Sequence, residues 1–140
     1  MTGNRPYSAI IEQLRNAKLR PTRQRLALAR LLFGDGDRHV TAESLHTEAL
    51  SQNERVSLAT VYNTLHQFTR AGLLSEVVVD SARSYFDTNT SHHHHFFCEE
   101  SQRLMDIPGD ALRVENLPPP PEGTAVNRID VVVRVRPTDL

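Results

Sequence analysis

The chain has 140 residues, a single cysteine and a formal net charge of −1, so it can form one large domain or two small ones with a real core. The lone Cys98 excludes an internal disulfide framework and any zinc site made of four local cysteines. No apolar run reaches the ~18 residues of a membrane span, and the N-terminus lacks the apolar stretch of a signal peptide. We therefore expect a protein of the reducing cytoplasm with no membrane partner.

Charge is divided unevenly between the two halves of the chain. Residues 1–72 carry ten Lys or Arg and six Asp or Glu, whereas the remainder carries six and eleven. A basic first half and an acidic second half are what a DNA-binding domain joined to a different domain would show.

Helical spacing of apolar residues predicts three short helices in the first part of the chain. The first covers about residues 7–17, the second 23–32, and the third begins after Thr41. Thr22 and Thr41 are the expected N-caps, because a threonine oxygen can accept from the free N–H groups of a first turn. We expect the third helix to bury Leu45 and Leu50.

The stretch from Ser57 to Gly72 predicts the helix of greatest functional interest. Its apolar residues share one stripe, Ser57 is a good N-cap, and Gly72 can take the left-handed conformation that ends a helix. The opposite face is polar, compact and almost free of acids, which suits the major groove of DNA. An ordinary amphipathic helix with a solvated outer face would show the same pattern. The apolar stripe is Leu58, Val61, Leu65 and Phe68, and the polar face is Ala59, Thr60, Asn63, His66, Gln67 and Arg70, with Tyr62 on its flank.

Two strands, at residues 73–79 and 83–87, are predicted directly after this helix. Short helices followed by a hairpin indicate a winged helix-turn-helix, in which the last helix reads the groove. Arg20, Arg23 and Arg25 at the mouth of the second helix then have a role, as contacts to phosphate or to a narrow minor groove. A solvated basic turn is the alternative for each of them alone.

A run of four histidines, His92–His95, opens the second half of the chain. On a strand, His93 and His95 would share one face and His92 and His94 the other. Asp87 and Asp106 lie just upstream and downstream, and His39 could add a further ligand. Imidazole and carboxylate groups suit Zn, Fe, Ni or Mn, and imidazole also binds haem iron. A polar loop with a chance histidine run is the alternative.

Strands are also predicted at residues 96–98, 104–105 and 129–135, and the prolines 118–121 prevent a helix through that segment. The fold class expected is α+β. An N-terminal winged helix-turn-helix DNA-binding domain, residues 1–88, is followed by a small α/β domain, residues 89–140, whose sheet offers a dimerisation surface.

Several of these segments together resemble the ferric uptake regulator family, over about residues 7–136. The segments are LRPTRQR at 19–25, VTAESL at 40–45, LATVYNTL at 58–65 and the histidine strand. The segments HHHHFFCE at 92–99 and MDIP at 105–108 resemble one branch of that family, the iron response regulators.

The resemblance implies a homodimeric transcription regulator that binds a double-stranded DNA operator. Tyr62 falls on the position that contacts thymines, and Arg20 on the one that enters the minor groove. Asn63 replaces the usual arginine that reads guanine, so the operator should differ from the common one. The other DNA-binding residues expected are Arg23, Arg25, Ser57 and Thr60. The family's inter-domain metal site, for Fe²⁺, Mn²⁺ or Zn²⁺, falls on His39, Asp87, His93, His95 and Asp106.

The chain also departs from the family pattern. Most members hold a structural zinc on two pairs of cysteines, whereas only Cys98 is present here and Ser101 stands at its partner position, so we expect no four-cysteine zinc. A second family metal site loses two ligands, at Arg113 and Val135. Both acidic positions of the inter-domain site are Asp rather than the Glu usual in iron repressors, a feature of the peroxide-sensing branch.

The iron response branch implies haem as the signal, bound through one or two of His92, His93, His94 and His95. Haem would release the repressor from genes of haem synthesis and iron homeostasis. A haem-delivering protein would then be a further partner. The alternative within the family is an Fe²⁺- or Mn²⁺-dependent regulator or a peroxide sensor. Outside it, a histidine-rich metal store would bind several ions without an operator. An enzyme is not expected, since no nucleophile triad or phosphate loop is present.

Overall fold

The computed structural model describes the backbone of residues 5–138 and the side chains of residues 7–138. The chain divides into two compact units, Met1–Thr90 and Ser91–Leu140. Among the described residues, no helix has both the length and the apolar character needed to cross a membrane.

The described part of the first unit contains four α-helices joined by short turns. They are α1 (Arg5–Asn16), α2 (Arg23–Phe33), α3 (Ala42–Ser51) and α4 (Leu58–Arg70). The three predicted caps are confirmed, because the side chains of Thr22, Thr41 and Ser57 each accept a hydrogen bond from the N–H group three residues on. Thr41 also forms a reciprocal capping box with Ser44. Gly72 has φ +84°, the left-handed conformation expected of it.

The helices enclose one apolar core, to which α4 contributes Val61, Leu65 and Phe68. The prediction for α3 was half wrong: Leu45 is buried, but Leu50 is 51 % exposed. Ala42 and Ala49, at the helical spacing from Leu45, are the residues that pack inward instead. Small side chains let α3 approach its neighbours closely, and Leu50 falls on the far side of the helix.

A three-stranded antiparallel sheet completes the first unit. Its strands are β1 (His39–Val40), β2 (Ser75–Asp80) and β3 (Arg83–Asp87), in the order β1-β3-β2. The β2–β3 hairpin is the predicted wing. β1 has two residues, too few for a periodic signal, and the sequence alone did not predict it. Its pairing with β3 places His39 opposite Asp87.

The second unit is built on a sheet with the order β5-β4-β6. Its strands are β4 (His93–Cys98), β5 (Arg103–Pro108) and β6 (Val132–Val135). β4 pairs antiparallel with β5 and parallel with β6. The strand predicted at 129–135 is shorter than expected and starts at Val132. Within residues 91–138 the helical structure is a single 3-10 turn, Gly109–Ala111, and the proline segment is not helical.

The capping box of α3 gives a first test of this fold. Thr41→Ala leaves N–H groups of the first turn without an acceptor, and we expect it to lower the free energy of unfolding by about 1 kcal/mol. Thr47→Ala, an exposed position in the middle of the same helix, is the matched control and should be neutral or slightly stabilising. Urea denaturation followed by circular dichroism measures both. Equal stabilities of the two variants would contradict the capping role.

Candidate nucleic-acid interface and metal centre

The face of α4 predicted to read DNA lies on the surface of the first unit. Val61, Thr64, Leu65 and Phe68 are buried, which turns the intervening positions outward. Asn63 is exposed, and Tyr62 is 37 % exposed. The side chains that the sequence assigned to base reading are therefore accessible.

Tyr62 is held in place by a neighbour on α3. Its hydroxyl donates to the Glu43 carboxylate at 2.7 Å, and this hydrogen bond raises the pKa of the Tyr62 phenol. The Tyr62 ring stacks on the His66 ring, with centroids 6.4 Å apart. His66 in turn meets the ring of buried Phe86 edge-on at 5.5 Å. The phenol thus stays a protonated donor in a defined orientation.

Ser57 and Thr60 bond to each other at the N-terminus of α4. The Ser57 hydroxyl accepts from the Thr60 N–H group at 3.1 Å and donates to the Thr60 hydroxyl at 3.0 Å. Their oxygens therefore stabilise the first turn of α4, and each still has acceptor capacity toward a ligand.

The cationic side chains of the first unit fall into two classes. Several arginines are engaged within the protein, as Arg25 shows by donating to the Gln67 side chain at 3.0 and 3.3 Å and to the Arg20 carbonyl at 2.9 Å. The bonds to Gln67 connect the start of α2 to the C-terminal half of α4. The guanidinium groups of Arg20 and Arg23 are exposed and have no hydrogen-bond or ion-pair partner among the described residues. The other engaged pairs are Arg30–Glu54, Arg38–Glu48 and Arg83–Asp80.

His93 and His95 share one face of β4, as the strand period predicts. Their ring centroids are 4.6 Å apart, and their side chains are 8 % and 6 % exposed. Both Nε2 atoms approach the same oxygen of Asp106, at 3.7 Å from His93 and 3.4 Å from His95. Asp106 stands opposite His95 in the β4–β5 register. Two imidazoles and one carboxylate therefore converge within the second unit.

His92 and His94 face the other way and differ from each other. The Nδ1 atom of buried His94 accepts a hydrogen bond from the Val131 N–H group at 3.1 Å. Burial is the main cause that lowers the pKa of His94. His92 is exposed, with its ring edge-on to His94 at 5.0 Å. The sequence assigned haem to one or two of the four histidines without saying which, and the structure gives the four different environments.

A second donor pair lies in the first unit, where β1 meets β3. His39 is the register partner of Asp87, and Asp87 is 1 % exposed. One Asp87 oxygen accepts from the Asn89 N–H group at 2.9 Å. An imidazole beside a buried carboxylate offers two donor atoms of the kind that a divalent cation takes.

Cys98 closes β4 and is buried. Hydrogen bonds from Ser101, the residue expected at the position of a zinc-binding cysteine, lower the pKa of the Cys98 thiol. The turn after β4 therefore pairs the Cys98 thiol with the Ser101 hydroxyl.

Comparison with known proteins identifies the family. The model of the ferric uptake regulator family matches residues 16–120. The chain belongs to this family. It is 32 % identical over 100 residues to the ferric uptake regulation protein of Shigella flexneri, covering 71 % of this chain and 68 % of that protein. A peroxide-responsive repressor of Staphylococcus aureus is 34 % identical over 97 residues, covering 69 % and 65 %.

A solved relative extends the similarity to the fold. The structure of the ferric uptake regulator from Pseudomonas aeruginosa with manganese matches with a TM-score of 0.68 and 25 % identity, covering 91 % of this chain and 97 % of that one. The predicted α+β class, with its winged-helix and small second domain, is thereby confirmed. Because the relatives include both ferric uptake regulators and peroxide-responsive repressors, they confirm the family without distinguishing the iron response branch.

Two residues that contact side chains of the predicted DNA-reading face were not identified from the sequence. Glu43 was read only as part of a helix, and Gln67 only as one polar position of α4. Both act through long-range contacts, to Tyr62 and Arg25, and no local pattern reports those. Only the position of Glu43 at the start of α3, within the segment shared with the family, could have drawn attention to it.

The position of His94 generates a second prediction. His94→Ala, studied in EDTA so that bound metal does not contribute, removes the acceptor of the Val131 N–H group and leaves a buried void. We expect the amides of β4 and β6 to lose about 1–3 kcal/mol of protection against hydrogen exchange. His92→Ala removes an exposed ring from the same strand and should leave protection unchanged. Equal protection in wild type and His94→Ala would show that the Val131 bond does not hold β6.

Proposed function

We propose that this protein is a metal-responsive transcription regulator that binds a double-stranded operator as a homodimer. Membership of the ferric uptake regulator family supports a transcription regulator rather than an enzyme. The observation that carries the metal-responsive part is the pair of buried imidazoles, His93 and His95, directed at one oxygen of Asp106. Two imidazole nitrogens and a carboxylate oxygen that converge in this way are donors that a divalent first-row cation takes.

The DNA-binding part of the proposal rests on α4 and the start of α2. With α4 in the major groove, Tyr62 and Asn63 meet base edges, and Ser57 and Thr60 lie at the helix N-terminus. Arg20 and Arg23 are free to contact phosphate or the minor groove. Arg25 has a different role in this proposal, since its contact to Gln67 orients the start of α2 relative to α4. A homodimer would read two half-sites related by its own two-fold symmetry.

For the regulatory ion we propose ligands from both units. His93, His95 and Asp106 form the set described in the second unit, and His39 with Asp87 form the pair in the first. Nitrogen and carboxylate oxygen donors suit Fe²⁺, Mn²⁺ or Zn²⁺, and manganese is named with the similar structure from Pseudomonas aeruginosa. An ion held by both units favours one arrangement of them. It therefore changes DNA affinity by as much as it prefers the DNA-competent state.

Haem is the second candidate signal, and one observation favours it. His92 is exposed, so an iron porphyrin can approach its imidazole without opening the sheet, and the resemblance to the iron response branch points the same way. His93 and His95 are nearly buried, and Nδ1 of His94 is engaged with Val131. Haem at those three would first require β4 to loosen. The divalent ion is therefore our first proposal, and a haem-delivering partner belongs only to the second.

The metal proposal is tested by operator binding with and without Mn²⁺, on an operator obtained by selection from random DNA. We expect Mn²⁺ to tighten wild-type binding by roughly 5–150-fold and to leave Asp106→Asn unaffected. Asp110→Asn, an exposed carboxylate on the neighbouring 3-10 turn, is the matched control and should respond like the wild type. Tightening that persists in Asp106→Asn would contradict the site.

The same assay with haem separates the two signals. If haem weakens operator binding, Mn²⁺ has no effect and His92→Ala abolishes the response, the haem candidate replaces the metal ion. If haem leaves operator affinity unchanged in the wild type, the haem candidate is excluded.

The base-reading assignment gives a separate prediction. Tyr62→Ala should weaken operator binding by about 1–3 kcal/mol while changing the affinity for random DNA much less, because a base contact is lost but phosphate contacts remain. Tyr62→Phe keeps the ring and removes only the hydroxyl bonded to Glu43. It therefore separates the contribution of the ring to operator affinity from that of the hydroxyl. Fluorescence anisotropy on both DNAs measures the effect. Equal losses on operator and random DNA would rule out a reading role for Tyr62.

A further inference from the structure

A cleft of about 280 Å³ opens in the first unit between α2 and the segment that joins α3 to α4. Arg23 and Gln24 line it from the first turn of α2, and Asn53 and Arg55 from the joining segment. The sequence assigned Arg23 to DNA but gave no role to Arg55 or to the cleft itself.

The polar side chains around this cleft have no partner inside the protein. Arg23, Gln24, Asn53 and Arg55 are all exposed, and none makes a side-chain hydrogen bond or ion pair with a described residue. Two guanidinium groups and two carboxamides thus present hydrogen-bond donors toward one space. This contrasts with Arg25, Arg30, Arg38 and Arg83, each of which is engaged by its own neighbours.

The acid in the cleft wall does not cancel this positive charge. Glu54 forms an ion pair with Arg30 at 3.5 Å, and Arg30 also donates to the Tyr7 hydroxyl at 2.9 Å. Arg30 therefore offsets the charge of Glu54 from outside the cleft, since it is not among the lining residues. The guanidinium groups of Arg23 and Arg55 remain for an anion, and guanidinium forks match the oxygens of a phosphate group.

The position of the cleft identifies the source of that phosphate. Arg55 lies two residues before Ser57, the N-cap of α4, and Arg23 is the first residue of α2. A helix that enters the major groove by its N-terminal residues brings the chain just before it to the DNA backbone. We propose that the cleft, here called the Arg23–Arg55 notch, holds one phosphodiester of the operator backbone beside α4. This inference rests on the proposed DNA binding and adds to it a defined phosphate site and a new contact residue, Arg55.

The first test measures how DNA affinity depends on salt. Arg55→Gln, Arg23→Gln and the double variant are compared with Arg103→Gln, an exposed and unpartnered guanidinium on β5. Loss of one phosphate contact should reduce the slope of log affinity against log salt by about 0.9 in the double variant. The loss of affinity should be the same on operator and random DNA, because a phosphate carries no sequence information. Arg103→Gln should behave as wild type.

The second test locates the phosphate. Neutral methylphosphonate linkages are placed one at a time along the operator, and the wild type should lose affinity at several positions. At one symmetry-related position per half-site, the double variant should be insensitive while it stays sensitive elsewhere. The proposal that the notch binds a backbone phosphate would be overturned by a double variant that keeps the wild-type salt slope. The variant would also have to respond to every linkage as the wild type does.

Two further outcomes separate this inference from its premise. If the wild type shows no salt-dependent DNA binding at all, the proposed DNA-binding function is itself contradicted, whatever the role of the Arg23–Arg55 notch. If inorganic phosphate, compared with chloride at equal ionic strength, binds the wild type but not the double variant, and the DNA salt slope is unchanged, the notch serves a free anion. That result would overturn the assignment to the DNA backbone.

Discussion

The register between β4 and β5 is the constraint on which the candidate regulatory site depends. It sets Asp106 opposite His95, and the period of two along β4 brings His93 to the same face. A shift of one residue would exchange the two faces of β4 and direct His92 and His94, instead of His93 and His95, at the carboxylate. The buried ring of Phe97 and the bond from Val131 to His94 oppose such a shift. In β4, His94 therefore contributes to the stability of the sheet, and its two neighbours are the proposed metal ligands.

The arginines of the first unit also differ in role: some are engaged within the protein, and others have side chains that remain available to a ligand. Arg25, Arg30 and Arg38 are engaged by Gln67, Glu54 and Glu48. Partly exposed ion pairs contribute little to stability, so the main consequence of these contacts is that the three guanidinium groups already have partners within the protein. Among the described residues, the unpartnered arginines include Arg20 and Arg23 at the start of α2 and Arg55 before α4. Arg15 and Arg70, in the last turns of α1 and α4, are also unpartnered and exposed. The proposed DNA-binding surface therefore depends both on which cations are present and on which of them are already engaged within the protein.

Much of this could be predicted from local patterns. The caps at Thr22, Thr41 and Ser57, the wing after Gly72 and the alternation of the histidines all follow from residue type and spacing. β1 could not be predicted, because two residues carry no period and His39–Val40 is a strand only through its pairing with β3. The bond from Glu43 to Tyr62 and the engagement of His94 by Val131 join residues 19 and 37 positions apart. Leu50 was misplaced because apolar character alone does not decide which face of a helix packs inward.

In the proposed function, a divalent cation at the histidine and carboxylate ligands and the operator DNA both favour the same state of the protein. Linkage requires each ligand to change the affinity of the other by the same factor. The most direct measurement is calorimetric titration of the protein with Mn²⁺, once alone and once with saturating operator DNA. We predict a lower Kd for Mn²⁺ on the DNA-bound protein, by the same factor as Mn²⁺ tightens operator binding. An identical Kd in both titrations would contradict the account.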